Sequence, residues 1–130
     1  MVPHEYKETL IKINIEKSDD TIKAAELLLN NNLIKDALNR IYYSVFYIVS
    51  ALARKHDFIT SKHSSMMGWF NKEFIYESKV FDKEMLDIYQ ELFKYRQLGD
   101  YDEVYKPDLV KTKELFEKAK IFIATVRKEI

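Results

Sequence analysis

The sequence predicts an all-α fold, a four-helix up-and-down bundle with one additional short helix, and three observations carry that prediction. Two Gly and two Pro are the only strong breakers in 130 residues, where average usage would give about fifteen. That is too few for the turns of a β-sandwich or barrel, or for the glycine loops that cradle phosphates in nucleotide enzymes. Apolar residues recur at spacings of three and four over four long segments, the period of a helix with one buried face. The length suits a single domain over residues 1–130, enough to bury about two-thirds of the surface its unfolded chain exposes.

The elements follow in order. Pro3, a good first helical residue, opens a segment with Ile11, Ile15, Ser18, Ile22, Ala25 and Leu29 on one stripe. It ends at Asn30-Asn31-Asn32, where the first Asn suits the left-handed terminal position and a later one suits the cap of the next helix. The second helix, about Leu33 to Lys55, carries Leu38, Ile41, Val45, Ile48 or Val49, and Leu52 on one side and Tyr42, Tyr43, Phe46 and Tyr47 on the others. A helix apolar nearly all round is buried nearly all round. It is therefore the central helix or faces a second copy, with Tyr43, Phe46 and Tyr47 as the candidate homodimer seam. Thr60-Ser61 starts a short helix through Met66, Trp69, Phe70 and Ile75, ending near Ser78. The third main helix begins at Asp82, with Met85, Ile88, Leu92 and Tyr95 beside a stripe of Leu86, Tyr89, Phe93 and Arg96, and frays at Gly99. Arg96 thus emerges next to the core. Pro107 opens the last helix, with Leu109, Thr112, Phe116, Ala119, Ile123 and Val126 in its stripe.

Composition excludes several functions. There is no cysteine, hence no disulfide, thiolate nucleophile or Cys-ligated metal. The three His, at 4, 56 and 63, form no pair on one helix face, so no metal site and no cofactor are expected. Basic and acidic residues balance at 21 each, which removes bulk attraction to nucleic acid or an anionic membrane and leaves only a local basic patch for such a role. The longest uncharged stretch, Ile41 to Ala53, falls short of the roughly 20 apolar residues of a bilayer span. The start, Met1-Val2-Pro3-His4-Glu5, lacks an apolar signal core. No membrane association and a cytoplasmic location are the expectations.

Three clusters carry possible chemistry. Arg40, Ser44 and Tyr47 share one face of the second helix at spacings of four and three, so an arginine, a hydroxyl and a phenol line one groove, or the phenols merely reach solvent from a core helix. Ser61-Lys62-His63-Ser64-Ser65 sits at a helix start, where free N–H groups with Lys62 and His63 receive an anion or where the hydroxyls simply cap. Arg96 and Asp100 lie four apart on a terminal turn, followed by Tyr101. An exposed pair of that kind is worth only about 0.3–0.5 kcal/mol.

In this order, Ala37-Leu38-Asn39-Arg40-Ile41-Tyr42-Tyr43-Ser44-Val45-Phe46-Tyr47, Ser61-Lys62-His63-Ser64, Phe70, Phe74-Ile75 and Arg96-Gln97-Leu98-Gly99-Asp100-Tyr101 resemble the HEPN family, the higher eukaryotes and prokaryotes nucleotide-binding domain. The resemblance spans nearly the whole chain and is closest to small stand-alone prokaryotic members with an Arg-x-x-x-Asp-Tyr pattern. It implies a helical bundle, usually a homodimer, with a cleft around the second and third main helices. Many members are toxins or defence ribonucleases that cleave RNA without a metal through Arg-x(4–6)-His; others accompany minimal nucleotidyltransferases encoded next door. Arg96 matches the arginine of that motif. The histidine has no counterpart, since Tyr101, Asp102 and Glu103 follow and no His occurs after position 63. Metal-free RNA cleavage needs a group that exchanges protons near neutral pH, which Tyr and Asp do only after shifts of several pKa units.

The resemblance thus implies a nucleotide- or RNA-binding partner of a minimal nucleotidyltransferase in a toxin–antitoxin or defence-like pair. The alternative is a metal-independent ribonuclease using Arg96 with His63 or Tyr101. The expected cleft comprises Arg40, Tyr43, Ser44, Tyr47, Lys62, His63, Arg96, Asp100 and Tyr101. In some family pairs the transferase attaches AMP to a tyrosine beside the arginine motif, which singles out Tyr101 ahead of Tyr105.

Overall fold

The computed structural model describes residues 3–130. Five α-helices follow one another: α1 (His4–Asn30), α2 (Ile34–Lys55), α3 (His63–Phe70), α4 (Lys83–Tyr101) and α5 (Leu109–Arg127). Between α3 and α4 the chain continues without a break as a π-helical stretch, Asn71–Glu77. Among the described residues no strand is present.

The chain reverses at each end of the bundle, and side-chain ties show the directions. Lys7 near the start of α1 pairs with Asp57 just after α2, so α1 and α2 are antiparallel. Asn39 near the start of α2 donates to Asp100 at the end of α4, making α4 antiparallel to α2 as well. Lys55 at the end of α2 donates to the Glu129 and Ile130 carbonyls beyond α5, so α5 runs parallel to α2. The result is up, down, up, down, with α3 and the π-helical stretch laid across one side.

The predicted stripes are the buried ones. Ile11, Ser18, Ala25 and Leu29 of α1, and Met85, Ile88 and Leu92 of α4, all face inward. On α2, Ile41, Tyr42, Val45, Ile48, Val49 and Leu52 are wholly buried, as the nearly all-round apolar sequence requires. Tyr43, Phe46 and Tyr47 stay half-buried along one edge of that helix. Phe70, Tyr89 and Phe122 close the core with mutual ring separations of 5.5–5.8 Å, the range in which edge-to-face and offset pairs are favourable.

Element ends depart from the sequence reading in informative ways. The left-handed residue after α1 is Asn32 (φ 59°), not Asn30. α1 continues through Asn30, and Leu33 N–H then donates to Leu28 O while Asn32 N–H donates to Leu29 O, the paired bonds of a Schellman ending. Consequently no Asn caps α2; the residue before it is Leu33, with no side-chain cap. The end of α2 repeats the pattern with Asp57 (φ 60°) left-handed and Phe58 N–H bonded to Ala53 O. The short helix begins at His63 and not at Thr60, whose hydroxyl instead accepts from Lys62 N–H in the preceding turn. α4 passes through Gly99 to Tyr101, because Gly99 lies against Leu38 and the Lys35 carbonyl of α2 and so is held in the helix by its neighbours. α5 starts at Leu109, since Asp108 supplies the cap that Pro107 cannot: its carboxylate accepts from Val110 N–H.

Candidate functional site

The candidate site lies where the first turns of α2 meet the last turns of α4 and the first residue of α3. Arg96 is its centre. It extends from the edge of the apolar stripe of α4 and is only 8 % exposed. A buried guanidinium needs partners for its charge and its donors, and α2 and the last turn of α4 provide them. Its Nε donates to Asp100 Oδ2, one turn on, at 2.9 Å. Its Nη2 donates to Tyr43 Oη of α2 at 3.2 Å and to Tyr101 Oη at 3.4 Å. Its Cζ also sits 5.3–5.5 Å from the ring centres of Tyr42, Tyr43 and Tyr101, where aromatic faces stabilise a cation.

A second arginine approaches from α2. Arg40 Cζ is 5.3 Å from the Tyr43 ring centre, so both arginines lean on one aromatic ring. Arg40 Nε and Nη2 donate to Asn39 Oδ1, and Asn39 Nδ2 donates in turn to Asp100 Oδ2. Asn39 and Asp100 therefore join the two arginines in one chain of hydrogen bonds. The Arg96–Asp100 pair is also not the exposed ion pair of the sequence reading, because packing against α2 leaves the two side chains 9 % and 22 % exposed.

His63, as the first residue of α3, reaches the same cluster from the other side. Its Nδ1 shares a 2.7 Å hydrogen bond with Tyr42 Oη, and its ring lies 4.5–5.6 Å from those of Phe46, Tyr42 and Tyr43. Burial, and then the Arg96 charge, hold its pKa below the ordinary histidine value, so the ring is neutral at pH 7. Burial pushes the Tyr42 phenol well above its usual range, which the Arg96 charge opposes.

The structure thus brings together Arg40, Tyr43, His63, Arg96, Asp100 and Tyr101, and leaves three other expected cleft residues outside. Ser44 is wholly buried beneath α1: its hydroxyl donates to Ile41 O, and its carbonyl accepts from the Ser18 hydroxyl at 2.7 Å. Four-residue spacing from Arg40 sets it one turn along α2, but α1 covers that face. Tyr47 lies a turn past Tyr43, with Lys17 Nζ 5.5 Å from its ring centre, and touches neither arginine. Lys62 precedes α3 as an exposed cap residue and joins no ion pair among the described residues. Two residues that sequence reasoning passed over belong to the site. Asn39 stands beside Arg40 in the motif run, and Tyr42 reads as core while its hydroxyl serves His63. Tyr101 and Tyr105 also separate: Tyr101 is 71 % exposed with its hydroxyl against Arg96, whereas Tyr105 packs on Tyr95 in the α4–α5 loop.

Among the described residues no three His, Asp or Glu side chains form a group fit to hold a metal, and no helix is long and apolar enough to cross a membrane. The fold and the cluster together define an α-helical bundle domain with a polar cleft centred on a buried arginine. The chain belongs to the HEPN domain family, whose model matches residues 11–129. It is 36 % identical over 124 residues to a UPF0332 protein of Thermotoga maritima, covering 95 % of this chain and 93 % of that one. It is also 36 % identical over 123 residues to Putative toxin MJ0142 of Methanocaldococcus jannaschii, covering 95 % and 82 %. A second protein of that organism, Putative toxin MJ0605, is 25 % identical over 120 residues, covering 92 % and 88 %.

Proposed function

We propose that this chain is a homodimeric nucleotide- or RNA-binding HEPN protein that works with a minimal nucleotidyltransferase in a toxin–antitoxin or defence-like pair. The observation that carries the binding reading is the buried Arg96, oriented by Asp100 on Nε and backed by tyrosine faces. Its Nη1 makes no hydrogen bond among the described residues. An arginine locked in this way presents its remaining donors to a phosphate at little further entropic cost. Arg40, on the same Tyr43 ring, adds a second positive charge. Two relatives bear the name toxin, in keeping with a paired system. The half-buried edge of Tyr43, Phe46 and Tyr47 supports the dimer, since aromatic surface of this kind gains by being covered. The 71 % exposed Tyr101, its hydroxyl against Arg96, is the tyrosine an AMP-transferring partner would modify.

The experiment measures RNA cleavage and nucleotide binding by the purified protein in EDTA, with Arg96→Ala alongside. Binding that weakens in Arg96→Ala, with no cleavage above background, supports the proposal; cleavage lost in Arg96→Ala overturns it. Mass spectrometry of the protein coexpressed with a neighbouring transferase checks Tyr101 for AMP, and sedimentation at tens of micromolar checks the dimer.

A second reading, a metal-independent ribonuclease, is favoured by the His63–Tyr42 hydrogen bond beside Arg96. There a neutral His63 would take the proton of a ribose 2′-hydroxyl as its oxygen attacks the adjacent phosphorus. The 5′-oxygen would leave with a proton taken from solvent water, the proton on His63 would return to solvent, and Arg96 would bind a non-bridging oxygen. Under that reading His63→Ala lowers cleavage by about 10²–10⁴-fold.

A further inference from the structure

A groove opens beside His63, between α3 and α4, with a volume of about 280 Å³. Met67, Leu86 and Phe93 form its wall. Ser64, Asn71 and Gln90 supply its polar groups, and among the described residues none of those three side chains makes a hydrogen bond. No Asp, Glu, Lys or Arg lines it. We propose that this groove is a nucleobase subsite, occupied by the base of a nucleotide whose phosphate lies at Arg96. The inference rests on the reading of the Arg96 cluster as a phosphate site.

The chemistry of the lining selects this ligand class. A volume just under the 300–1,000 Å³ of sites that enclose drug-sized ligands leaves room for one flat heterocycle. An uncharged lining favours a neutral group. Aromatic and thioether surfaces suit the face of a base, and free side-chain amides offer the paired donor and acceptor that a base edge matches. The position suits a nucleotide as well. His63 borders both the groove and the tyrosine cluster, and Phe93 of the groove wall lies 5.5 Å from the Tyr42 ring, whose centre is 5.5 Å from Arg96 Cζ. The wall and the guanidinium are therefore no more than about 11 Å apart with the buried Tyr42 ring between them, and a single nucleotide would span them over the surface past His63.

Gly68 makes the groove testable. It follows Ser64 by four residues and precedes Asn71 by three, so it shares their helix face. A Cβ built on it meets nothing within 4 Å. Gly68→Leu therefore fills the groove without a clash, and replacing a helical glycine favours the helix.

The experiment follows the Met67 methyl and the Gln90 side-chain amide by NMR during titration with adenosine, guanosine, cytidine and uridine, then with their 3′-monophosphates. At least one nucleoside is expected to shift both signals, and its monophosphate to bind about tenfold tighter, as one charge-assisted contact would give. Arg96→Ala should remove only the phosphate gain, while Gly68→Leu should abolish the nucleoside shifts in a protein of unchanged or higher melting temperature. Gln90→Ala, at an exposed position, should change the ranking among bases. The proposal is overturned if no nucleoside shifts Met67, or if Gly68→Leu binds the monophosphates as the parent does. Nucleosides that bind in a Gly68-dependent way but gain nothing from phosphate uphold the base subsite and overturn the phosphate reading of Arg96.

Discussion

Removing the Asp100 carboxylate tests whether Arg96 is held as the geometry indicates. The Nε–Oδ2 distance is 2.9 Å, and the two side chains are 9 % and 22 % exposed. An exposed pair four residues apart on a helix contributes about 0.3–0.5 kcal/mol, whereas breaking a fully buried pair costs about 3–5 kcal/mol. With one partner nearly buried and the other mostly so, Asp100→Ala is expected to cost about 2 kcal/mol, of the size of a hydrogen bond to a charged group. In a chain of this length that lowers the melting temperature by about 8 °C. Asp100→Asn keeps an acceptor without the charge, and should cost about half as much. The decisive assay is a urea-denaturation cycle with Asp100→Ala, Arg96→Met and the double variant, because a coupling of about 1.5–2 kcal/mol isolates the pair from the Asn39 bond. A coupling under about 0.5 kcal/mol would return Arg96–Asp100 to the class of surface pairs.

Three further outcomes follow from individual residues. Tyr89 is wholly buried and its hydroxyl makes no hydrogen bond of ordinary length, only a longer contact with the Tyr42 phenol, so Tyr89→Phe is expected to leave stability unchanged or raise it by up to about 1 kcal/mol in urea titration, and a loss of that size would contradict it. Lys79 holds a left-handed φ of 54° with a full side chain; Lys79→Gly should gain about 1 kcal/mol by relieving it, read as a higher denaturation midpoint. His63 has a folded pKa below its unfolded 6.5, so the unfolded chain takes up its proton first as pH falls. Stability from this residue is complete above pH 6.5 and declines as pH drops through the folded pKa. The slope of stability against pH below 6.5 should be shallower in His63→Gln.

Helix periodicity made the bundle legible because burial and sequence share one period. Ile11 through Leu29, Met85 through Leu92 and Thr112 through Val126 each lie on the face their spacing predicts. The turns were harder to read for a specific reason. All three left-handed positions among the described residues belong to Asn32, Asp57 and Lys79, and none to glycine. Breakers therefore do not mark the left-handed residue after α1, which is Asn32, or the start of α3, which is His63. In the candidate site, Arg96, Asp100 and Tyr101 were accessible because their spacing is local to one helix end. The four-residue spacing of Ser44 from Arg40 does not report which neighbour covers that part of α2, and α1 covers it. The tie from Asn39 to Asp100 spans 61 residues of sequence, and no local pattern reports it. His63 stands out in sequence as a histidine at a helix start, but its bond to Tyr42 depends on how α3 crosses the bundle.

The π-helical stretch at Asn71–Glu77 also bears on how the chain tolerates changes in length. Elsewhere in these helices, deleting one residue turns everything beyond it by about 100° and moves a buried stripe toward solvent. A π turn carries one residue more than an α turn between bonded groups, so a deletion within 71–77 is absorbed by tightening to the ordinary helix. Phe70 before it and Phe81 after it are both core residues whose rings lie 5.6 Å apart, and both keep their places if only the intervening turn contracts. A single-residue deletion in this segment is therefore expected to leave α2, α4 and the arginine between them in register.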